Sequence, residues 1–305
     1  MIDLLRTRLK YLFYHKQSQK EERNLLLLAK LNLPKSQLKG PVNTLQEVEL
    51  RLFSQWGEDG IIQYIIHNID IPNKIFIEFG VENYEEANTR FLLVHDNWSG
   101  LVIDGSAENI EFIKKDPIYA KYDLVAVNNF ITRDNINHII KQNIPVADIG
   151  LLSIDIDGND YWVWESINVI NPRIVICEYN SVFGPHKAVT VPYKKDFYRT
   201  TEHYSNLYFG ASLKALCTLA ESKGYDFIGS SSPGVNAFFI RKDLSAPFNI
   251  FDAHSGYIES KHRESRDKAG NLTFLRGKDR LWEIKEKYVY DLEQNKELRI
   301  ADLYL

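Results

Sequence analysis

Five short apolar runs in the middle of this sequence each end in residues that could do chemistry. They close on Glu78-Phe79-Gly80-Val81-Glu82-Asn83-Tyr84, Asp104-Gly105-Ser106, Asn128-Asn129, Asp155-Ile156-Asp157-Gly158-Asn159-Asp160 and Glu178-Tyr179-Asn180. Carboxylates and amides recurring at the same place in successive runs describe one polar pocket. Asp104 is placed to accept from the two hydroxyls of a ribose, with Gly105 and Ser106 continuing the turn. Glu78 or Asp155 could accept from an ammonium group. Gly80 has no Cβ and lets a ligand come close to the backbone. Asn128 or Asn129 could meet an adenine edge. Asp157, Glu178 and His186 are candidate general bases, His186 in the loop opened by Gly184-Pro185. Asp155, Asp157 and Glu178, with Asn180, could instead converge on a hard divalent cation such as Mg2+. Blander readings stand beside these. The 157–160 segment also reads as a turn and helix N-cap, with Asp160 capping. His186 also reads as a solvated loop histidine.

Positioning such a set requires a regular frame, and the hydrophobic pattern supplies one. Strands are expected over 74–79, 100–103, 124–127, 149–154 and 173–177. Helices are expected over 55–68, 85–97, 107–115, 134–142 and 160–167. Short apolar runs alternating with amphipathic helices imply a parallel sheet covered on both faces. A polar, aromatic insert (179–208) follows, with Phe183, Tyr193, Phe197, Tyr198, Tyr204 and Tyr208 among the basic residues Lys187, Lys194, Lys195 and Arg199. A helix over 211–222 then leads to strands at 225–228 and 237–240, joined by a Ser/Pro/Gly-rich turn. That spacing is a hairpin, so the sheet should end antiparallel. The fold class is therefore α/β, a Rossmann-like doubly wound sheet, mostly parallel with an antiparallel last strand.

The strand ends suit a cation better than a phosphate. A dinucleotide site wants G-x-G-x-x-G, so that pyrophosphate reaches a helix N-terminus. Here Gly80 stands alone beside Glu82, Glu85 and Glu86, which would repel a pyrophosphate and tolerate a sulfonium. Segments 75–80, 100–105, 152–158 and 173–180 resemble the motif series of class I S-adenosylmethionine-dependent methyltransferases. Ser54-Gln55-Trp56-Gly57-Glu58-Asp59 is similar to the S-Q-x-G-E-D segment of the FkbM-type and related bacterial methyltransferase-like proteins. Gly224-Tyr225 and 234–239 are similar to that group's last strands. The likeness spans 53–243. It implies class I methyltransferase topology, S-adenosyl-L-methionine as cofactor, and methylation of a hydroxyl on a sugar, glycan or natural-product-like acceptor. It implies that Gln55, Glu78 and Gly80 belong to the cofactor region, that Asp104 is the ribose acid, and that Asp155 and Asp157 lie beside the reacting centre. The chain departs from the family in having one glycine in the cofactor loop. Two other readings remain open: a scaffold on a degenerate methyltransferase fold, and a metal-assisted glycan-modifying enzyme.

Bulk properties set the outer limits. The 305 residues are 44% hydrophobic and 26% charged, enough for one large core with appendages. The net charge is −4, but residues 1–44 hold nine Lys/Arg against three acids, which leaves −10 on the rest. That balance argues against nucleic acid as a partner. Ile2, Leu5, Leu9, Leu12 and Phe13 recur at helical spacing among basic residues, so 2–16 reads as an amphipathic helix for self-association or peripheral membrane contact. Residues 1–45 form this region and a linker, 46–245 the Rossmann-like domain, and 246–305 a charged loop and helical extension. The basic stretch 261–280 reads as a solvated loop, or as a site for a phosphate-bearing acceptor. Cys177 and Cys217 fit buried reduced thiols and a cytoplasmic location, with contact at the inner membrane face as a variant.

Overall fold

A computed structural model of the protein describes residues 20, 23–29, 31 and 39–304. The helix expected over 2–16, with its membrane and self-association readings, lies outside these residues. Strands β1 (Ile75–Phe79), β2 (Ser99–Asp104), β3 (Leu124–Asn128), β4 (Leu151–Ile154) and β5 (Ile174–Glu178) run parallel. β6 (Val189–Thr190) leaves for a second sheet. β7 (Tyr225–Ser230) and β8 (Asn236–Arg241) form the expected hairpin, with β8 inserted antiparallel against β5. The order is β3-β2-β1-β4-β5-β8-β7, the seven-stranded class I methyltransferase topology.

Period-two alternation decides which side of the sheet each residue faces. Ile77, Phe79, Leu101, Ile103, Val175 and Cys177 pack into one apolar layer. Phe76, Val102, Leu151, Ile174 and Ile176 pack into the other. Both faces are therefore covered, which is why the strands read as near-continuous apolar runs. The covering helices are α1 (Glu58–Asn68), α2 (Arg90–Asp96), α3 (Ala107–Lys115), α4 (Pro117–Lys121), α5 (Ile136–Asn143) and α6 (Asp160–Ser166). They are followed by α7 (Arg199–Glu202) and α8 (Leu213–Ser222). Ser106 and Ser212 cap α3 and α8, each accepting from a backbone amide three residues on.

Two sequence expectations need correction. The helix expected over 85–97 starts at Arg90. Its first turns are lost because the amides there have other partners: Glu85 donates to Asn83 Oδ1, and Asn88 and Thr89 donate to the Glu78 carboxylate. The helical run expected from Leu281 onward is mainly a hairpin. After α9 (Lys278–Glu283) come β9 (Tyr288–Asp291) and β10 (Lys296–Arg299), and the chain closes on α10 (Ile300–Tyr304). Asp291 makes the turn by accepting from the amides of Glu293 and Gln294 at 2.9 and 2.8 Å.

The hairpin ties the end of the chain to the insert. β9 pairs with β6, giving a three-stranded sheet β10-β9-β6. Beneath it, Phe183, Val189 and Phe197 of the insert and Phe209 just after it pack with Leu281, Val289 and Ile300 in a third apolar cluster. Both segments are thereby held at the carboxyl ends of the parallel strands. Among the described residues, no helix is long and apolar enough to cross a membrane.

Candidate active site

The carboxyl ends of β1, β2, β4 and β5 open onto one cavity of about 740 Å³. Ligands in open α/β sheets bind at this edge, and the volume accommodates a cofactor and a small acceptor. The insert and the last third of the chain roof it with Phe197, Arg199, His262 and Arg280 among others.

The β1 loop is built by its own acids. Glu78 accepts from the amides of Asn88 and Thr89 at 2.9 and 3.0 Å, and from the Thr89 hydroxyl. Burial pushes its pKa up to about 7, against these bonds, which lower it. Gly80 adopts φ +69°, and a Cβ there would lie 1.7 Å from the Asp155 carbonyl oxygen. No side chain fits, so the single glycine of this loop locks it against the loop after β4.

Asp104 joins the β1 and β2 loops. Its Oδ1 accepts from the Ser106 amide at 2.7 Å and Asn109 Nδ2 at 3.2 Å, and its Oδ2 from the Glu82 amide at 2.9 Å. A carboxylate offers about four acceptor positions. One is left for a ligand donor. Gly105 and Ser106 line the cavity beside it, and Gln55 lines it from the turn before α1. Asn128 does not line the cavity; it is exposed, and its side-chain amide donates to the Asp104 carbonyl. Asn129, Phe130 and Ile131 line the wall instead.

The S-Q-x-G-E-D segment works through its acids as well. Asp59 Oδ2 accepts from the amides of Leu52, Phe53 and Ser54 and from the Ser54 hydroxyl. Glu58 accepts from the amides of Trp56 and Gly57, and from Asn236 Nδ2. These bonds hold Gln55 and Trp56 at the wall.

The acids after β4 and β5 converge. One carboxylate oxygen from each of Asp155, Asp157 and Glu178 lies within 4.8 Å of the others. Burial, then the neighbouring acids, pushes the Asp155 and Glu178 carboxyls well above the ordinary carboxylate range. Glu178 is 8% exposed, and its Oε2 is buried with no hydrogen-bond partner. Asp157 sits in the left-handed region (φ +56°), a conformation Asp tolerates better than most residues. Asp160, the first residue of α6, shapes this turn by accepting from the amides of Ile156 and Gly158, both at 2.8 Å. Burial raises its pKa to about 6.

The residue that completes the cluster is a basic one from the insert. Arg199 donates to Asp157 Oδ1 and to the Asn206 carbonyl, and its guanidinium lies 3.7 Å from the Phe209 ring centroid. Burial would lower its pKa, but the Asp157, Glu178 and Asp155 charges hold it above the ordinary value. No local pattern distinguishes Arg199 from Lys187, Lys194 or Lys195 of the same insert; only packing brings it here. His186 belongs elsewhere. It is exposed, does not line the cavity, and stacks near His254 with ring centroids 5.2 Å apart. The histidine at the cavity is His262, whose ring meets Trp56 edge-on.

No protein-family model matches the sequence, and no curated protein matches it. Solved structures do. The N-terminal domain of EvdMO1 with SAH bound is 9% identical, over 68% of this chain and 92% of that one, with a TM-score of 0.41. TrmK of M. capricolum in complex with S-adenosyl-homocysteine is 11% identical, over 54% and 60%, with a TM-score of 0.30. The CurJ carbon methyltransferase is 8% identical, over 62% and 56%, with a TM-score of 0.37. The fold assignment rests on the strand order; these likenesses supply no residue correspondence.

Proposed function

We propose that the protein is an S-adenosylmethionine-dependent methyltransferase, of the FkbM-like kind, acting on a hydroxyl of a sugar, glycan or natural-product-like acceptor. One observation carries the reading: four adjacent parallel strands bring the Gly80 loop, Asp104, Asp155 and Glu178 to a single cavity. The donor set fits the cofactor. The loop over 80–89 holds three glutamates and no Lys or Arg, which suits a sulfonium and not a pyrophosphate. Asp104 keeps one acceptor position for a ribose hydroxyl, and Phe130 offers an apolar face beside Gly105.

When bound, the cofactor supplies an electrophilic methyl group. The chain's own residues align the acceptor and handle its proton. Glu178 lines the cavity and its Oε2 has no protein partner among the described residues, so this carboxylate can take the proton as the hydroxyl oxygen forms its bond to carbon. Arg199 holds Asp157 and tempers the charge that Glu178 and Asp155 share. The aromatic wall of Phe197 and Phe209 excludes water and offers a face to a sugar ring. Calorimetry with S-adenosylhomocysteine tests the reading; no binding at about millimolar concentration would remove it.

A second reading has one observation in its favour. The three carboxylates, with one oxygen of each within 4.8 Å of the others and Glu178 Oε2 unpartnered among the described residues, could hold a divalent cation such as Mg2+ that lowers the acceptor's pKa. A thermal shift with Mg2+ that vanishes in Asp157→Ala would support it. No shift with Mg2+, Mn2+ or Ca2+ would dismiss it.

A further inference from the structure

The roof of the cavity contains a buried cation with no counter-ion among the described residues. Arg280 is 8% exposed and lines the cavity. Its one side-chain hydrogen bond within the described residues runs from Nη1 to the Ser260 carbonyl at 3.2 Å. No carboxylate among the described residues forms an ion pair with it. Burial pulls its pKa below the ordinary guanidinium value, with Glu259 opposing.

The fold pairs its other buried arginine, Arg90, and the half-buried Arg199, Arg173 and Arg241 with acids. Arg199 is paired with Asp157, Arg90 with Asp116, and Arg173 and Arg241 both with Asp148. An unpaired buried charge is costly unless something neutralises it. Among the described residues Arg280 also keeps its Nε and Nη2 free of partners, the donors that meet carboxylate or phosphate oxygens in a fork.

Its position ties it to the reacting end. Ser260, which holds Arg280, donates its own amide to Ser181 Oγ at 3.0 Å, three residues after Glu178. Tyr179 and Tyr257 brace the same segment through the Ile258 and Ser181 carbonyls. Asp104 lies three strands away, about 14 Å at the usual spacing. The guanidinium is therefore on the β5 side of the cavity, across from the ribose position.

We propose that Arg280 forms an anion subsite for the acceptor, so that the substrate is an acidic sugar or glycan carrying a carboxylate or a phosphate. The proposal rests on the methyltransferase reading only in calling that molecule the acceptor. Binding of D-glucuronate, D-glucose 1-phosphate and neutral D-glucose is measured by calorimetry or ligand-observed NMR at about 10 mM, beside S-adenosylhomocysteine. Wild type should bind at least one anionic sugar about tenfold or more tighter than glucose, since charged hydrogen bonds are at stake. Which one binds separates the carboxylate source from the phosphate source. Arg280→Gln should remove that preference and leave S-adenosylhomocysteine affinity unchanged. Arg280→Lys, which keeps the charge without the fork, should restore part of it even if the Gln variant folds poorly. Three results overturn the proposal: glucose binding as well as both anions, no anionic sugar binding to wild type, or Arg280→Lys and Arg280→Gln losing S-adenosylhomocysteine instead. The last would assign Arg280 to the cofactor's carboxylate. Anionic sugar binding without S-adenosylhomocysteine binding would leave the subsite standing and remove the methyltransferase reading.

Discussion

At the scale of single residues, the buried carboxylates divide between building the site and facing it. Asp59 builds. Its Oδ2 takes four donors while its Oδ1 is buried without a partner, and burial raises its pKa from 3.8 to about 6. A raised carboxyl pKa means the folded state holds the proton more tightly than the unfolded chain. This group's contribution to stability is then most favourable below pH ~4 and becomes a full cost above pH ~6. Asp59→Asn keeps the accepting oxygen and removes the titration. Denaturant melts should show the variant gaining stability relative to wild type as pH rises from ~4 to ~7, and equal slopes would contradict the assignment. Glu178 faces the site. Glu178→Gln should lower kcat by about 10²–10⁴-fold, the usual size of a base contribution, with S-adenosylhomocysteine affinity retained. A variant with wild-type kcat would take the base role away from Glu178.

At the scale of elements, the loops after β1 and β4 behave as one unit. The Gly80 backbone touches the Asp155 carbonyl, and Gly158 touches Phe197, whose ring would be 2.2 Å from an added Cβ. Gly80→Ala must clash with backbone at positive φ, so it should cost more than about 2 kcal/mol in chemical denaturation. Gly158→Ala meets a buried ring instead. It should displace Phe197 and with it Arg199, lowering activity while the parallel sheet keeps its far-ultraviolet signature. If Gly158→Ala retains full activity, the insert is not fixed by this contact. The helix that starts at Arg90 rather than residue 85 belongs to the same logic. Amphipathic spacing registered the whole stretch as helical, but a carboxylate across the turn competes for the first amides. Periodicity cannot see that competitor.

At the scale of the whole molecule, the C-terminal hairpin backs the insert that roofs the cavity. Removing residues 288–304 deletes β9 and β10, strips β6 of its partner, and takes Val289 and Ile300 from the third apolar cluster. Such a truncation should bind S-adenosylhomocysteine through the intact Gly80 and Asp104 loops yet lose turnover. Its insert should exchange amide hydrogens fast and be cut readily by protease. Protection equal to the full chain would show that the insert folds alone. Read from sequence alone, the parallel frame was accessible because period-two and period-3.6 patterns are local. So were the strand-end acids Glu78, Asp104, Asp155 and Glu178, since a strand's end fixes where its last side chain lies. Tertiary structure alone decided that Arg199 pairs with Asp157 beside Asp155 and Glu178, that His186 stands away from them, that Asn129 rather than Asn128 reaches the wall, and that Arg280 is buried without a counter-ion among the described residues. Those outcomes depend on which distant segments pack together, through hydrophobic burial that has no direction along the chain. One sequence position looks like another until the third cluster closes over it.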